Sequence, residues 1–281
     1  MRSIAKLMKD WQFTGPDGVT AAVALPHTWN AVDGQDGGND YWRGTCTYRT
    51  SFAAPAYDPA QQQVWLQFEG VNSSATVLLN GQQLCTHDGG YSTFRAEVTE
   101  LLQAENQLTV QVDNSVNDRV YPQKADFTFY GGIYRDVSLL VVNKNHVALG
   151  HFGDTGVKIT PDLKEGSADI QVETLVEGEG TVVVELLDAE GSTVAKGEGE
   201  KASLHLDAPH LWNGVKDPYL YTCIVRLMQD GKPVDEVTTK VGIRSFSVDA
   251  KKGFFLNGKP YPLHGVSRHQ DRKGLGNAIT R

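Results

Sequence analysis

Apolar residues recur along this chain at every second position, the period of a β-strand with one face buried. Val64, Leu66 and Phe68 stand beside Gln67 and Glu69, and Leu108, Val110 and Val112 enclose Thr109 and Gln111. The rhythm returns in Ile170, Val172, Thr174 and Val176, then in Val182, Val184 and Leu186, with the turn formers Gly178-Glu179-Gly180 between the two runs. Asn80-Gly81, Asp230-Gly231 and Asn257-Gly258 each separate apolar runs. Asn, Asp and Gly reach positive φ at least cost, so a hairpin is expected at all three. The one helix-like stretch, Val98 to Gln103 with Thr99 as its expected cap, is too short for an independent helix.

The fold class is therefore all-β. A first boundary is expected near Asn143 to Val147, after the apolar run Val137 to Val142, and a second near Phe246, after Gly242-Ile243-Arg244. This gives a domain over 1–145, a domain over 146–245 and a remainder over 246–281. Roughly 140 residues suits a jelly-roll sandwich and roughly 100 an immunoglobulin-like one. The remainder is too short for a domain of its own and is expected to be the truncated beginning of another.

Composition narrows the chemistry. With 281 residues, 40% hydrophobic and 21% charged, the chain is built like an ordinary folded protein, without a run apolar enough to cross a bilayer. No membrane partner is expected. A formal net charge of −8 disfavours nucleic acid phosphates as a partner. Cys46, Cys85 and Cys223, odd in number and widely spaced, read as buried thiols of a reducing compartment. The first ten residues mix charged and apolar types, unlike an export signal, so the cytoplasm is the expected location. The eight histidines show no metal-ligand spacing.

Several motifs occur in a fixed order. Leu25-Pro26-His27-Thr28-Trp29-Asn30 precedes Tyr41-Trp42-Arg43-Gly44, Phe68-Glu69-Gly70-Val71, His87-Asp88-Gly89-Gly90-Tyr91 and Gly131-Gly132-Ile133-Tyr134-Arg135-Asp136-Val137. Pro209-His210-Leu211-Trp212, Pro218-Tyr219-Leu220-Tyr221, Phe255-Leu256-Asn257-Gly258-Lys259-Pro260 and Leu263-His264-Gly265-Val266-Ser267-Arg268-His269-Gln270-Asp271 follow. Together they resemble family 2 glycoside hydrolases of β-galactosidase type over nearly the whole chain. Many members carry Asn and Glu where this chain has Ser267 and Gln270, which weakens any role for those two side chains.

The resemblance implies a galactose-binding-like jelly roll, an immunoglobulin-like sandwich and the stub of a (β/α)8 catalytic barrel, whose active site would lie at the C-terminal ends of its strands. It also implies a retaining reaction, in which two carboxyl groups about 5 to 5.5 Å apart serve as acid/base and nucleophile. Both glutamates are expected beyond Arg281, so these residues alone should be inactive. Substrate contacts are carried over to Asp126, Asn39, Arg268 and His269. Asp126 in some relatives also helps hold a monovalent cation, and Mg and Na are the metals implied for the full-length enzyme, with no cofactor in this chain.

For each of these residues a plainer reading stands beside the functional one. Asp126 could cap nearby amides, Asn39 with Asp40 could form a turn, and His269, without barrel neighbours, is expected on a disordered or misplaced tail. Tyr41, Trp42, Tyr91, Phe94, Phe127, Phe129 and Tyr130 could stack on sugars but are expected in the core or a seam. Arg135 and Asp136 are expected as an ionic hinge, and His87, His151, His205 and His210 as structural or solvated.

The implied partners are a β-galactoside and the missing catalytic barrel; a homo-oligomer is left open. The alternatives are a β-glucuronidase or β-mannosidase of the same family, a free-standing carbohydrate-binding sandwich, or a purely structural pair of domains.

Overall fold

The computed structural model describes residues 1–33, 41–121, 128–150 and 153–280. It divides into two compact units: Ser3–Val141 with Arg268–Arg281, and Val142–Ser267 with Met1–Arg2.

The first unit is a sandwich of a six-stranded and a four-stranded sheet. The larger runs Thr20–Val23, Trp11–Thr14, Thr45–Ala53, Glu105–Asp113, Ser74–Leu79, Gln82–Asp88, and the smaller runs Ser3–Lys6, Val137–Asn143, Gln62–Phe68, Phe94–Glu97. Alternation in the sequence becomes burial in the fold. Val64, Leu66, Phe68, Leu108, Val110 and Val112 are all fully buried, and Val110 pairs with Tyr48 on one side and Val77 on the other. Burying each such side chain contributes about 1.5 to 3 kcal/mol. Trp11, Tyr48 and the stacked Phe68 and Phe94 rings, 4.9 Å apart, complete this core.

The second unit packs the three-stranded sheet Val157–Leu163, Ser167–Thr174, Lys201–Asp207 with the four-stranded sheet Thr193–Glu198, Thr181–Leu187, Tyr221–Gln229, Lys232–Val241. Ile170, Val172, Val184, Leu186, Val225 and Leu227 form its interior. Ser167–Thr174 and Thr181–Leu187 lie in different sheets, so the chain between them, through Val176–Glu177 paired with His146–Val147 and then Gly178-Glu179-Gly180, crosses the sandwich. The three expected hairpins all form, with positive φ at Asn80, Asp230 and Asn257 and at the glycine after each.

Local details depart from the sequence reading. Residues 99–101 form a single 3-10 turn without a side-chain cap; the Thr99 hydroxyl instead accepts a hydrogen bond from the Val64 amide at 3.0 Å. Asp136 forms its ion pair with Lys6 at 2.6 Å, while Arg135 is exposed and lies over the Tyr134 ring, so the two do not form the expected hinge.

Residues 246–260 form a three-stranded meander, Phe246–Asp249, Gly253–Leu256 and Lys259–Pro260, in the second unit. Residues 261–270 form no strand, and Leu263 and Val266 are 69% and 92% exposed. A barrel strand takes its backbone hydrogen bonds from two neighbours, and no described strand flanks this stretch.

The tail beyond it is held rather than disordered. The Tyr130 hydroxyl donates to Asp271 at 2.7 Å, the Gly274 amide donates to the Ala31 carbonyl at 2.9 Å, and Ala278 is buried.

Candidate functional site

Three buried asparagines organise one end of the first sandwich. Asn30, fully buried, donates through Nδ2 to the Asp33 carboxylate at 3.0 Å and to the Trp42 carbonyl at 2.9 Å. Its Oδ1 accepts from the Gly131 amide at 2.8 Å and from Asn114 Nδ2 at 3.2 Å. Asn114, also fully buried, donates to the Phe129 carbonyl at 3.2 Å and accepts from the Gly44 amide at 2.9 Å. Asn72 donates to the Tyr130 carbonyl at 2.6 Å and accepts from the Tyr121 hydroxyl at 2.6 Å.

An amide side chain both donates and accepts, so one residue type can satisfy N–H and C=O groups of two irregular segments at once. Buried polar groups paired in this way rigidify the backbone they hold. The segments held are Thr28–Asp33 and Phe129–Gly131. Thr28 adds a hydrogen bond from its hydroxyl to the Gly131 carbonyl at 2.7 Å. Trp29 lies so close over Gly131 that a Cβ there would stand 2.1 Å from the indole ring, which accounts for the glycine.

Asn39 and Asp40 lie in 34–40 and Asp126 and Phe127 in 122–127, outside the described residues, as does His151. What the structure gives is their stems. Asp33 precedes the first segment and is fixed by Asn30; Tyr121 precedes the second and is fixed by Asn72; Thr128 and Phe129 follow it. Arg268 and His269 are exposed, just ahead of Asp271. The asparagines themselves escaped the sequence reading. The available signal was an Asn closing each of two quoted motifs or strands: Asn30 after Leu25–Trp29, and Asn114 after the run ending at Asp113.

The aromatic residues divide. Phe94, Phe129 and Tyr130 are buried as expected, whereas Trp42 and Tyr91 are 38% and 56% exposed and are not core. His27 is packed against Phe13 at 4.9 Å and shares a 2.7 Å hydrogen bond with the buried Tyr48 hydroxyl. Burial pushes its pKa down to about 4.

Among the described residues the acidic groups do not form a glycosidase pair. Asp235 is the one buried carboxylate among the described residues, and Arg2 neutralises it. A general acid needs a pKa raised by its surroundings. The carboxylates with a shift move the other way: Asp88 through the Ser74 hydroxyl and Arg119, Glu185 through Lys196 and Arg226. Burial raises Asp113, but hydrogen bonds from Ser115 and Thr45 outweigh it and hold it low. A groove of about 430 Å³ in the second unit, between Val157–Pro161 and Thr239–Gly242, is lined by Lys240 and Arg244 and by no carboxylate. Nor do three His, Cys, Asp or Glu side chains converge among the described residues. The described residues therefore supply no ligand set for the Mg or Na implied for the longer enzyme, and Asp126, the residue tied to the monovalent cation, lies outside them.

The described residues thus form a galactose-binding-like sandwich, with an asparagine frame on either side of 34–40 and 122–127, followed by an immunoglobulin-like sandwich. The family model "Glycosyl hydrolase 2 galactose-binding domain-like" matches residues 37–173, and "Glycosyl hydrolases family 2" matches residues 151–244. The chain belongs to glycosyl hydrolase family 2.

Among its relatives, a β-glucuronidase of Bacteroides fragilis is 36% identical over 97% of this chain, and a β-galactosidase of Bacteroides ovatus is 32% identical over 96%. The crystal structure of an FMN-binding β-glucuronidase from Faecalibacterium prausnitzii superposes with a TM-score of 0.94 over 100% of the chain, at 38% identity. The chain spans 42% and 35% of the two relatives and 45% of the solved chain.

Proposed function

We propose that the chain supplies the sugar-binding and immunoglobulin-like domains of a retaining family 2 β-glycosidase acting on a terminal β-glucuronide. The observation that carries this reading is the asparagine frame. It anchors the stems of both segments to which the family resemblance assigns substrate contacts, Asn39 and Asp126. A rigid scaffold lets loop residues meet a substrate without an ordering cost at each encounter. The proton donor and nucleophile would come from residues other than these, since no described carboxylate is both buried and free of a cation.

Glucuronide is preferred because the 36% identical relative and the solved structure at 38% identity are both named β-glucuronidases. A β-galactoside is the second reading, favoured by the 32% identical β-galactosidase and by the aspartate motif around 126. The three thiols, all free, suit a reducing compartment.

The test is the product of the complete reading frame, assayed on nitrophenyl β-glucuronide and nitrophenyl β-galactoside beside the 281-residue chain. Turnover of the glucuronide by the full product only is expected. A galactoside preference selects the second reading, and robust turnover by the 281-residue chain overturns both. Micromolar sugar binding by that chain without turnover would favour a free-standing binding module.

A further inference from the structure

We infer that Tyr91, with Tyr121 beside it and with an ion pair between Asp88, just before Tyr91 in sequence, and Arg119, just before Tyr121, forms a stacking shelf for a hexopyranoside on the first sandwich. A single exposed aromatic ring needs no explanation, but Tyr91 is built into its position. Its ring is 56% exposed, lies 5.2 Å from Tyr121 at 38°, and meets Tyr134 edge-on at 6.3 Å.

The turn that presents it is tied down on three sides. The Gly89 amide donates to the Ser73 carbonyl at 2.8 Å, the Tyr134 hydroxyl donates to the Gly90 carbonyl, and His87 Nε2 lies 3.1 Å from the Gly89 carbonyl. Gly90 presses on Asn72 so closely that a Cβ would stand 2.2 Å from its Oδ1. The Tyr121 hydroxyl donates to that same Oδ1, so the second ring is fixed by the asparagine frame.

The aromatic row continues inward. Tyr121 lies 5.9 Å from Phe129, and the Arg43 guanidinium stands 5.7 Å over Phe129 and 4.6 Å over Tyr41. Pre-setting an exposed ring removes the ordering cost that otherwise weakens a small contact. The ion pair carried by the same two stretches of chain matches the ligand. Asp88 and Arg119 form a 3.0 Å pair, with the Ser74 hydroxyl also bound to Asp88, and both side chains remain partly exposed. A mutually neutralised carboxylate and guanidinium offer acceptors and donors to uncharged hydroxyls without favouring a charged ligand. A hexopyranoside has just these two faces: C–H groups that suit a π surface and a rim of hydroxyls.

The shelf belongs to the sandwich alone and involves no catalytic group, so its test requires no turnover. Saturation-transfer NMR on the 281-residue chain with methyl β-galactopyranoside is expected to show transfer from tyrosine ring protons to the sugar C–H face, with millimolar affinity. Tyr91→Ala is expected to weaken binding about three- to ten-fold, while Tyr91→Phe, which keeps the ring, stays within about two-fold. The exposed position lets Tyr91→Ala fold, which circular dichroism verifies.

No transfer at sugar concentrations up to about 50 mM overturns the shelf. So does binding that survives Tyr91→Ala and disappears with Asp126→Ala, which would assign the sugar to the family's own contact and leave the proposed function standing.

Discussion

The Arg2 guanidinium donates from Nε to Asp235 Oδ1 at 2.8 Å and from Nη2 to Oδ2, joining residues 233 positions apart in sequence. The Val147 amide donates to the same carboxylate at 2.8 Å, and Arg2 also donates to the Val147 carbonyl at 3.2 Å. Asp235 has a 1% exposed side chain, so its charge is tolerated only because these donors surround it.

Arg2→Ala therefore leaves a buried, unpaired carboxylate, and a loss of about 3 to 5 kcal/mol is expected in urea unfolding. The double variant Arg2→Met with Asp235→Asn removes both charges, keeps an acceptor for the Val147 amide, and should recover most of that loss. Equal destabilisation by the single and double variants would show that packing, not charge pairing, is what Arg2 contributes.

How much of this was legible beforehand depended on range. Period-two runs such as Leu108, Val110 and Val112 announced strands because burial of one face is a local pattern, and Asn80-Gly81 announced a turn because φ preference is local. The crossing at Gly178-Glu179-Gly180 was not legible as such, since a turn signal does not say which sheet the next strand joins. Arg2 with Asp235 and Asn30 with Asn114 are tertiary pairs of residue types that are usually exposed. Nothing in their immediate neighbours marks them as buried. Asn39 and Asp126 came from resemblance alone, and the structure supplies only the stems on either side of them.

The asparagine frame can be tested at Asn114. Asn114→Ala removes a donor to the Phe129 carbonyl and to Asn30, and an acceptor for the Gly44 amide, all at a fully buried position. Stranding buried polar groups costs about 1 to 3 kcal/mol each before relaxation, so a net loss of about 2 to 3 kcal/mol is expected. Hydrogen exchange should accelerate at the Gly44 and Gly131 amides before it does in the strand Gln62–Phe68. Uniform acceleration across the unit would mean that the frame holds the fold generally rather than the loop stems.

The two buried thiols, Cys46 and Cys223, should be inert in the folded state. Burial pushes Cys46 up to about 12, with Asp17 and Asp113 adding to the effect, and Cys223 up to about 11; Cys85, half-buried, is also raised. At pH 8 a thiol of pKa 12 is ionised in about one molecule in ten thousand, and the thiolate is the reactive form. Ellman's reagent should label Cys85 first and the other two only on unfolding. Rapid native labelling of Cys46 would contradict the packing of the strand Thr45–Ala53.

His27 sets a pH dependence whose sign follows from its burial. Desolvation lowers its pKa from 6.5 to about 4, so the folded state keeps the ring neutral where the unfolded chain protonates it. Above pH 6.5 neither state binds the proton and the stability is whole. As pH falls from 6.5 to 4 the unfolded state gains a proton that the folded state refuses, and about 3 kcal/mol is lost across that window. Below pH 4 both states are protonated and this contribution falls no further. His27→Gln keeps a hydrogen-bonding partner for Tyr48 but does not titrate. Its urea unfolding free energy should therefore decline less than that of the parent chain between pH 7 and pH 4, by about 3 kcal/mol. Contributions from His87 and from the carboxylates are common to both proteins and cancel in the comparison. Parallel pH profiles for the two proteins would show that His27 is already protonated, or exposed, in the folded chain.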